Sequence, residues 1–374
     1  MRTVRVRTLA FLGTALATVA LVAACGGPAA APATTTAPAK PAATTAPAAP
    51  APAAPAATKP AAAAPAATTG AAAPPAAAPA LTKEYKMSLA TGSTAGTYYP
   101  LGGAIASLWS KNIKGVSVTA ETTGAAVENQ RLLGSKQVEL ALTQNDVADY
   151  SMNGTEMFKE KVTNFRAVAA LYPEVLQWVA TPDIKSIADL KGKRYVVGAA
   201  ASGTEANTRQ VLEANGIKYA DLGKSQFLSY AEAANAMKDR QVDGFAVTGG
   251  VPTSAITDVA TAVEISLLPI DGDIAKKVTD KYKFFVPATV PANTYKGVTT
   301  ETKTIAVQSM LVAREDLDAD LVYWLTKTLI EKQPELAQAH AKGKDVSKDS
   351  VLKGLTVPLH PGAEKYYREA GILK

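Results

Sequence analysis

Residues 86–109 open with Lys86-Met87-Ser88-Leu89-Ala90-Thr91, continue through Gly92-Ser93-Thr94-Ala95-Gly96, and then run Thr97-Tyr98-Tyr99-Pro100-Leu101 on to Trp109. The first six residues read as a strand. The next five are turn formers. Pro100 suits the first turn of a helix, where its missing N–H costs nothing. Leu101, Ile105, Leu108, Trp109 and Ile113 then recur at helical spacing. A strand that feeds a helix through a small-residue turn is half of a parallel β-α-β unit.

The pattern repeats downstream. Val116–Glu121 reads as a strand, and Gly124 opens a helix carrying Val127, Leu132 and Leu133. Val138–Thr143 is a further strand, and Gln144-Asn145-Asp146 leads into a short helix. Phe165–Leu171 and Val175–Thr181 read as two strands separated by Tyr172-Pro173-Glu174. After Pro182 the alternation restarts. Ser186-Ile187-Ala188-Asp189 fits a capping box. Arg194–Ala200 is a strand, and Ser202-Gly203-Thr204-Glu205 starts a helix that ends near Gly216. Val242–Thr248 meets Gly249-Gly250. Lys283–Thr289 and Thr304–Ala313 read as strands, the second returning the chain, and Ala319–Glu331 and Pro361–Ala370 as helices. Strands alternating with helices predict an α/β fold with mostly parallel sheets. Two such sets predict two lobes, 81–180 with 300–374 and 181–299, joined by two crossovers.

The segment before residue 81 is of another kind. Arg2, Arg5 and Arg7 precede an apolar stretch from Leu9 to Ala24, too short for a membrane span and fit for a signal peptide. It ends Leu21-Val22-Ala23-Ala24-Cys25, which resembles a bacterial lipobox. Residues 1–25 therefore read as a lipoprotein signal, with Cys25 as the lipidated residue. Of the 55 residues in 26–80, 50 are Ala, Pro or Thr. Such a stretch buries too little apolar surface to offset its chain entropy, and it reads as a disordered tether.

Five of the cations lie in these first 80 residues, where no acidic residue occurs. The formal charge of +6 for the chain thus leaves only +1 for 81–374. This removes the electrostatic footing for nucleic-acid binding. The single cysteine excludes a disulfide framework, and two histidines make no His-rich metal site. Neither a metal nor a cofactor is expected. No Gly-x-Ser-x-Gly elbow and no Cys–His pair occurs. Gly223-Lys224-Ser225 fails as a phosphate loop because position 218 is Lys218. An enzyme is not expected.

Chemistry is left to the loops after the strands. Thr91–Thr97, Thr122–Ala125, Ser202–Glu205 and Thr248–Gly250 are small, hydroxyl-bearing or Gly-rich. Open α/β sheets bind ligands beyond the carboxyl ends of their strands, and helix N-termini offer free N–H groups to anions. Each loop also has a plainer reading. Ser202 and Glu205 match a capping box, Asp146 fits a cap of its own helix, and Tyr98 and Tyr99 fit core aromatics. Arg131 and Arg209 are candidates for a carboxylate clamp.

As a set, these residues resemble a known family. Gly92-Ser93-Thr94-Ala95-Gly96-Thr97-Tyr98-Tyr99-Pro100-Leu101-Gly102 is similar to the opening motif of TAXI-type solute receptors, which serve TRAP (tripartite ATP-independent periplasmic) transporters. The similarity continues through Glu121–Asn129, Leu142–Ala148, Leu171-Tyr172-Pro173-Glu174, Asp189–Lys193, Ser202–Asn207 and Pro358–Tyr367, so it spans 85–370 in order. Asn145 stands where the family often has Ser. The resemblance implies a two-lobed periplasmic-binding-protein fold of type II and a monomer that traps a small carboxylate such as glutamate or 2-oxoglutarate. It implies an ion-driven TRAP-type permease as partner, and an extracytoplasmic place held by the lipid on Cys25. By motif position the ligand contacts would be Ser93, Thr97, Tyr98, Thr123, Gly124, Ala125, Gln144, Asp146, Tyr172, Ser202, Gly203, Thr204, Glu205, Thr248 and Gly249. The competing readings are the binding protein of an ABC-type importer, the ligand-sensing partner of a membrane sensor, a secreted α/β enzyme, and a surface scaffold.

Overall fold

A computed structural model describes Leu81 and residues 83–374. The signal segment, Cys25 and the tether expected over 26–80 lie outside the described residues.

The first strand, β1 (Tyr85–Ala90), is followed by α1 (Tyr98–Asn112), β2 (Val116–Glu121), α2 (Ala126–Gly134), β3 (Leu140–Gln144) and α3 (Asn145–Asn153). β1 pairs in parallel with β2 on one side and with β3 on the other. This is the right order for two successive β-α-β crossings. A long strand, β4 (Phe165–Ala180), then leads to β5 (Arg194–Val196), α4 (Gly203–Ala214), β6 (Lys224–Gln226), α5 (Tyr230–Lys238), β7 (Gly244–Gly249), α6 (Ser254–Ala262), β8 (Ser266–Leu268), α7 (Gly272–Lys281) and β9 (Val286–Val290). A second long strand, β10 (Thr302–Arg314), returns the chain to α8 (Ala319–Glu331), α9 (Gln333–Ala339) and α10 (Pro361–Glu369). No helix among the described residues is long and apolar enough to cross a membrane.

The strands form one hydrogen-bonded path, β2-β1-β3-β10-β4-β7-β5-β6, with β8 added on β4 and β9 on β10. The fold is α/β, as the sequence predicts, with parallel triplets at the two ends. The centre differs from the expectation of separate parallel sheets, because β10 and β4 run antiparallel to each other and to their outer neighbours. They are also long enough to serve both ends. Phe165–Ala170 of β4 pairs with Met310–Arg314, while Val175–Ala180 pairs with β7. Ser309–Ala313 of β10 pairs with β3, while Thr302–Ala306 pairs with β9.

The break read at Tyr172-Pro173-Glu174 is not a break. β4 runs straight through it. Proline lacks the N–H that a ladder needs and is tolerated in strands at bulges. Pro173 faces Gln308 beside the register shift between Gln308 and Met310, where the ladder is already irregular.

The apolar side chains gather in separate clusters at the two ends. Leu89, Leu101, Ile105, Trp109, Leu142, Leu171, Leu325 and Tyr367 belong to one. Phe245, Val247, Ile256 and Met237 form a second, and Trp178, Tyr195, Val211 and Ile305 a third on the other face of the same end. The helical stripe read from Leu101 to Trp109 is the buried side of α1, and the indole N–H of Trp109 donates to the Leu325 carbonyl at 2.9 Å.

Candidate functional site

The loops at the carboxyl ends of β1, β2, β3, β5 and β7 converge on one cavity, where open α/β sheets place ligands. Its volume is about 80 Å³. A water needs roughly 10–15 Å³ on such a measure, so the space holds on the order of six water-sized groups. The first residues of α1, α2 and α4, namely Tyr98, Ala126 and Gly203, lie in its wall.

Of the residues singled out in the sequence, Ser93, Thr97, Tyr98, Thr123, Gly124, Ala125, Gln144, Tyr172, Ser202, Gly203, Thr204, Thr248 and Gly249 line this cavity. Asp146 and Glu205 do not. Asp146 sits inside α3 and is fully buried against α4, where Asn207 Nδ2 donates to its Oδ2 at 2.8 Å. It lies in the first turn of α3, where its own N–H and that of Val147 also act on the carboxylate. Glu205 points to the surface network, accepting from the Tyr219 hydroxyl at 2.8 Å and lying 3.8 Å from Arg209. The candidate clamps are elsewhere too. Arg131 stacks on Phe158, and Arg209 is held by Glu156, Glu205 and Glu213. Ser202 does cap α4, its hydroxyl accepting from the Glu205 N–H at 3.1 Å. Glu205 does not reach back, so only half of the capping box forms.

Gly92, Gly96, Ala126, Glu174, Ala199, Ser229 and Tyr230 complete the wall. Glu174 is the informative addition. It is 2 % exposed. The Tyr98 hydroxyl donates to its Oε1, and Gln144 Nε2 donates to its Oε2 at 3.1 Å. Burial pushes its carboxyl up to about 8, against the lowering pull of Tyr98 and Gln144. The signal that could have found it is the lone charged residue inside the largely apolar run Ala167–Ala180. Tyr230 braces the opposite wall. Its hydroxyl donates to the Thr248 carbonyl at 2.9 Å, accepts from the Thr248 N–H at 3.0 Å, and meets the Thr204 hydroxyl.

Two features fix the loops. Asn129 is buried, and its amide donates to the Thr91 carbonyl at 2.8 Å and the Leu142 carbonyl at 2.7 Å, while its oxygen accepts from Thr123 at 2.6 Å. One side chain thus ties the ends of β1, β2 and β3 together. Ala125 has φ +76°, a conformation that costs a non-glycine residue on the order of 1–3 kcal/mol. The Thr123 hydroxyl, which accepts from the Ala125 N–H at 3.0 Å, helps hold it there.

Hydrogen bonds bridge the two ends of the sheet beside the cavity. The Gly250 N–H donates to Thr97 Oγ1 at 3.0 Å, the Glu128 N–H to the Ala201 carbonyl at 3.1 Å, and the Ala255 N–H to the Ala95 carbonyl at 3.1 Å. Tyr150 accepts from Gln210 at 3.0 Å beside the Asp146–Asn207 pair. Gly203 packs so closely on Gln144 that a Cβ at that position would lie 1.8 Å from Gln144 Oε1. Among the described residues no group of three or more His, Cys, Asp or Glu side chains is placed to hold a metal.

The sequence model of the NMT1-like family matches residues 89–371, three quarters of the chain. The chain belongs to the NMT1-like family. The matched span takes in the last two residues of β1, every later strand and the whole cavity wall. Among solved structures, this NMT1-like chain is similar to a protein of Bordetella bronchiseptica RB50, at 16 % identity over 77 % of this chain and 89 % of that one, with a TM-score of 0.48. It is similar to the periplasmic aliphatic sulphonate binding protein SsuA from Escherichia coli at 15 % identity, over 77 % and 84 % of the two chains, with a TM-score of 0.43. PhnD1 from Prochlorococcus marinus in complex with methylphosphonate matches at 12 % identity, over 77 % and 99 %, with a TM-score of 0.46. The α/β fold class that the sequence predicts is observed, with the chain crossing twice, through β4 and β10, between its two parallel triplets.

Proposed function

We propose that the protein is an extracytoplasmic solute receptor that shuts two lobes, 81–180 with 300–374 and 181–299, around one small ligand. The observation that carries this reading is the cavity itself. It lies between the two parallel triplets, is walled by loops from both, and is closed by hydrogen bonds that join one triplet's helices and loops to the other's.

The ligand class implied by the sequence resemblance is a small carboxylate. The first residues of α1, α2 and α4 in the wall support it, since helix N-termini favour anionic groups. The wall residues Ser93, Thr97, Thr123, Ser202, Thr204 and Thr248 supply hydroxyls. The proposed partner is a TRAP-type permease, and the proposed place is the extracytoplasmic side of a membrane, with Cys25 as anchor. An ABC-type importer would use the same cavity, and the partner that co-purifies after crosslinking in cells separates the two.

A shut state with its ligand inside must be favoured by the ligand over the open state. Small-angle scattering tests this. Ligand addition is expected to reduce the radius of gyration of the purified protein. An unchanged radius with a ligand that demonstrably binds would overturn the closure mechanism.

A further inference from the structure

The cavity wall carries an acid and no base. Among its lining residues Glu174 is the one ionisable group apart from Tyr98, Tyr172 and Tyr230, and no Lys, Arg or His stands with it. The groups that face Glu174 are neutral or acidic. Tyr98 and Gln144 donate to its two oxygens. Tyr172 and Ser309 stand beside it, and Tyr230 and Asp146 act on it from across the cavity and from α3. An ionised carboxylate taken out of water without a counter-charge is costly. Three fully buried polar atoms of the wall also lack partners: Gln144 Oε1, the Tyr172 hydroxyl and Thr248 Oγ1. Gln144 Oε1 can only accept, and the two hydroxyls can accept as well as donate. This side of the cavity thus offers a buried carboxyl and an unpartnered amide oxygen, and its lining holds no cation to balance the charge.

We propose that the ligand brings the missing cation, seating a protonated nitrogen (an ammonium or amidinium) on the Glu174 carboxylate. The proposal rests on the reading of this cavity as a solute site and sharpens its ligand class. A carboxylate at the helix N-termini remains compatible with it. A simple dicarboxylate or 2-oxo acid, with nothing to place on Glu174, does not. With the cavity empty the carboxyl holds its proton at neutral pH, because burial has pushed it up to about 8. The nitrogen arrives already protonated and displaces that proton to solvent, so charge balances within the shut cavity. Tyr98 and Gln144 both donate to Glu174, which keeps the carboxylate aimed where the nitrogen would sit.

The experiment is a thermal-shift and calorimetric screen of the purified protein. The probes are matched pairs: small amines, amidines and amino acids, each beside its hydroxy, oxo or des-amino isostere. Stabilisation is expected only from the nitrogen-bearing members. Calorimetry in two buffers of different ionisation enthalpy is expected to read the release of about one proton per ligand at pH 7. Glu174→Gln is expected to weaken binding at least tenfold and to abolish the proton release. Glu174→Asp, which keeps the charge but withdraws it, should recover part of the affinity. The proton count needs no variant, so a misfolded variant leaves the test intact. Binding of the des-amino acids with proton uptake or none overturns the proposal and leaves the solute-receptor reading standing, with Glu174 then a neutral donor to an anion. Failure of every probe, together with an unchanged scattering radius, overturns both.

Discussion

Asn207 Nδ2 donates to Asp146 Oδ2 at 2.8 Å, and the two oxygens left over, Asp146 Oδ1 and Asn207 Oδ1, have no partner although both are buried. One more proton on this acid–amide pair would supply the donor that both oxygens lack. Burial pushes the Asp146 carboxyl up to about 6, opposed by the Val147 N–H and the Asn207 amide, with Asp149 adding to the rise. In the unfolded chain the same group titrates near 3.9. Between these values the folded chain binds the extra proton, so stability is expected to fall as pH rises through that window and to stay reduced above it.

Asp146→Asn mimics the protonated pair and no longer titrates. It is expected to raise the unfolding free energy at pH 8 by on the order of 2–3 kcal/mol and to flatten the pH dependence between about 4 and 6. Urea unfolding at pH 5 and pH 8 checks this. A variant no more stable than the parent at pH 8 would show that Asp146 is better solvated than its burial implies.

Gly203→Ala tests the closeness of α4 to Gln144. The added methyl has no room beside Gln144 Oε1, so the amide must leave Glu174. Breaking that hydrogen bond to the buried carboxyl is expected to cost about 1–3 kcal/mol, while ligand affinity falls about tenfold. Thermal unfolding without ligand and a titration with it separate the two effects.

Asn129→Ala removes the side chain shared by the ends of three strands. It removes the Asn129 donor from the Thr91 and Leu142 carbonyls and leaves Thr91 with the Thr123 hydroxyl, at about 1–3 kcal/mol for each buried group that loses its partner. A loss of several kcal/mol in a denaturant melt is expected, with faster amide exchange in 91–97 and 122–126 as the specific sign that the cavity loops have come loose.

Tyr230→Phe deletes the hydroxyl that links Thr204 to both backbone groups of Thr248. Ligand dissociation is expected to quicken several-fold with little change in overall fold, read by stopped-flow competition and circular dichroism.

Much of this was legible in the residues. The strand, turn and helix of 86–109 are marked by glycines, by Pro100 and by the spacing of Leu101, Ile105 and Trp109, all of which are local signals. The cavity loops were legible because small, hydroxyl-bearing or Gly-rich stretches stand at 91–97, 122–125, 202–205 and 248–250. What stayed hidden depended on distant partners. Pro173 looks like an interruption until the irregular ladder opposite it on β10 is known. Glu174 looked like part of a turn for the same reason. Asp146 and Glu205 lie on helix faces turned away from the cavity, and sequence spacing does not say which face meets a neighbour four strands away. The segments 224–226 and 230–238, a three-residue strand and an Ala-rich helix, carry too little periodicity to announce themselves.

The paired course of β4 and β10 has a mechanical consequence. The two strands are zipped to each other from Val175 and Ala306 to Phe165 and Arg314. A ladder of hydrogen bonds resists sliding along its length and stretching across it, but yields to bending and twist, most easily where the Gln308–Met310 irregularity thins it. Under the proposed closure the strip would act as a flexure, bending at its two irregularities, Gln308–Met310 and Leu311–Val312. Whatever docks against both ends of the molecule would sense a single angle, and the occupant of the cavity would set that angle.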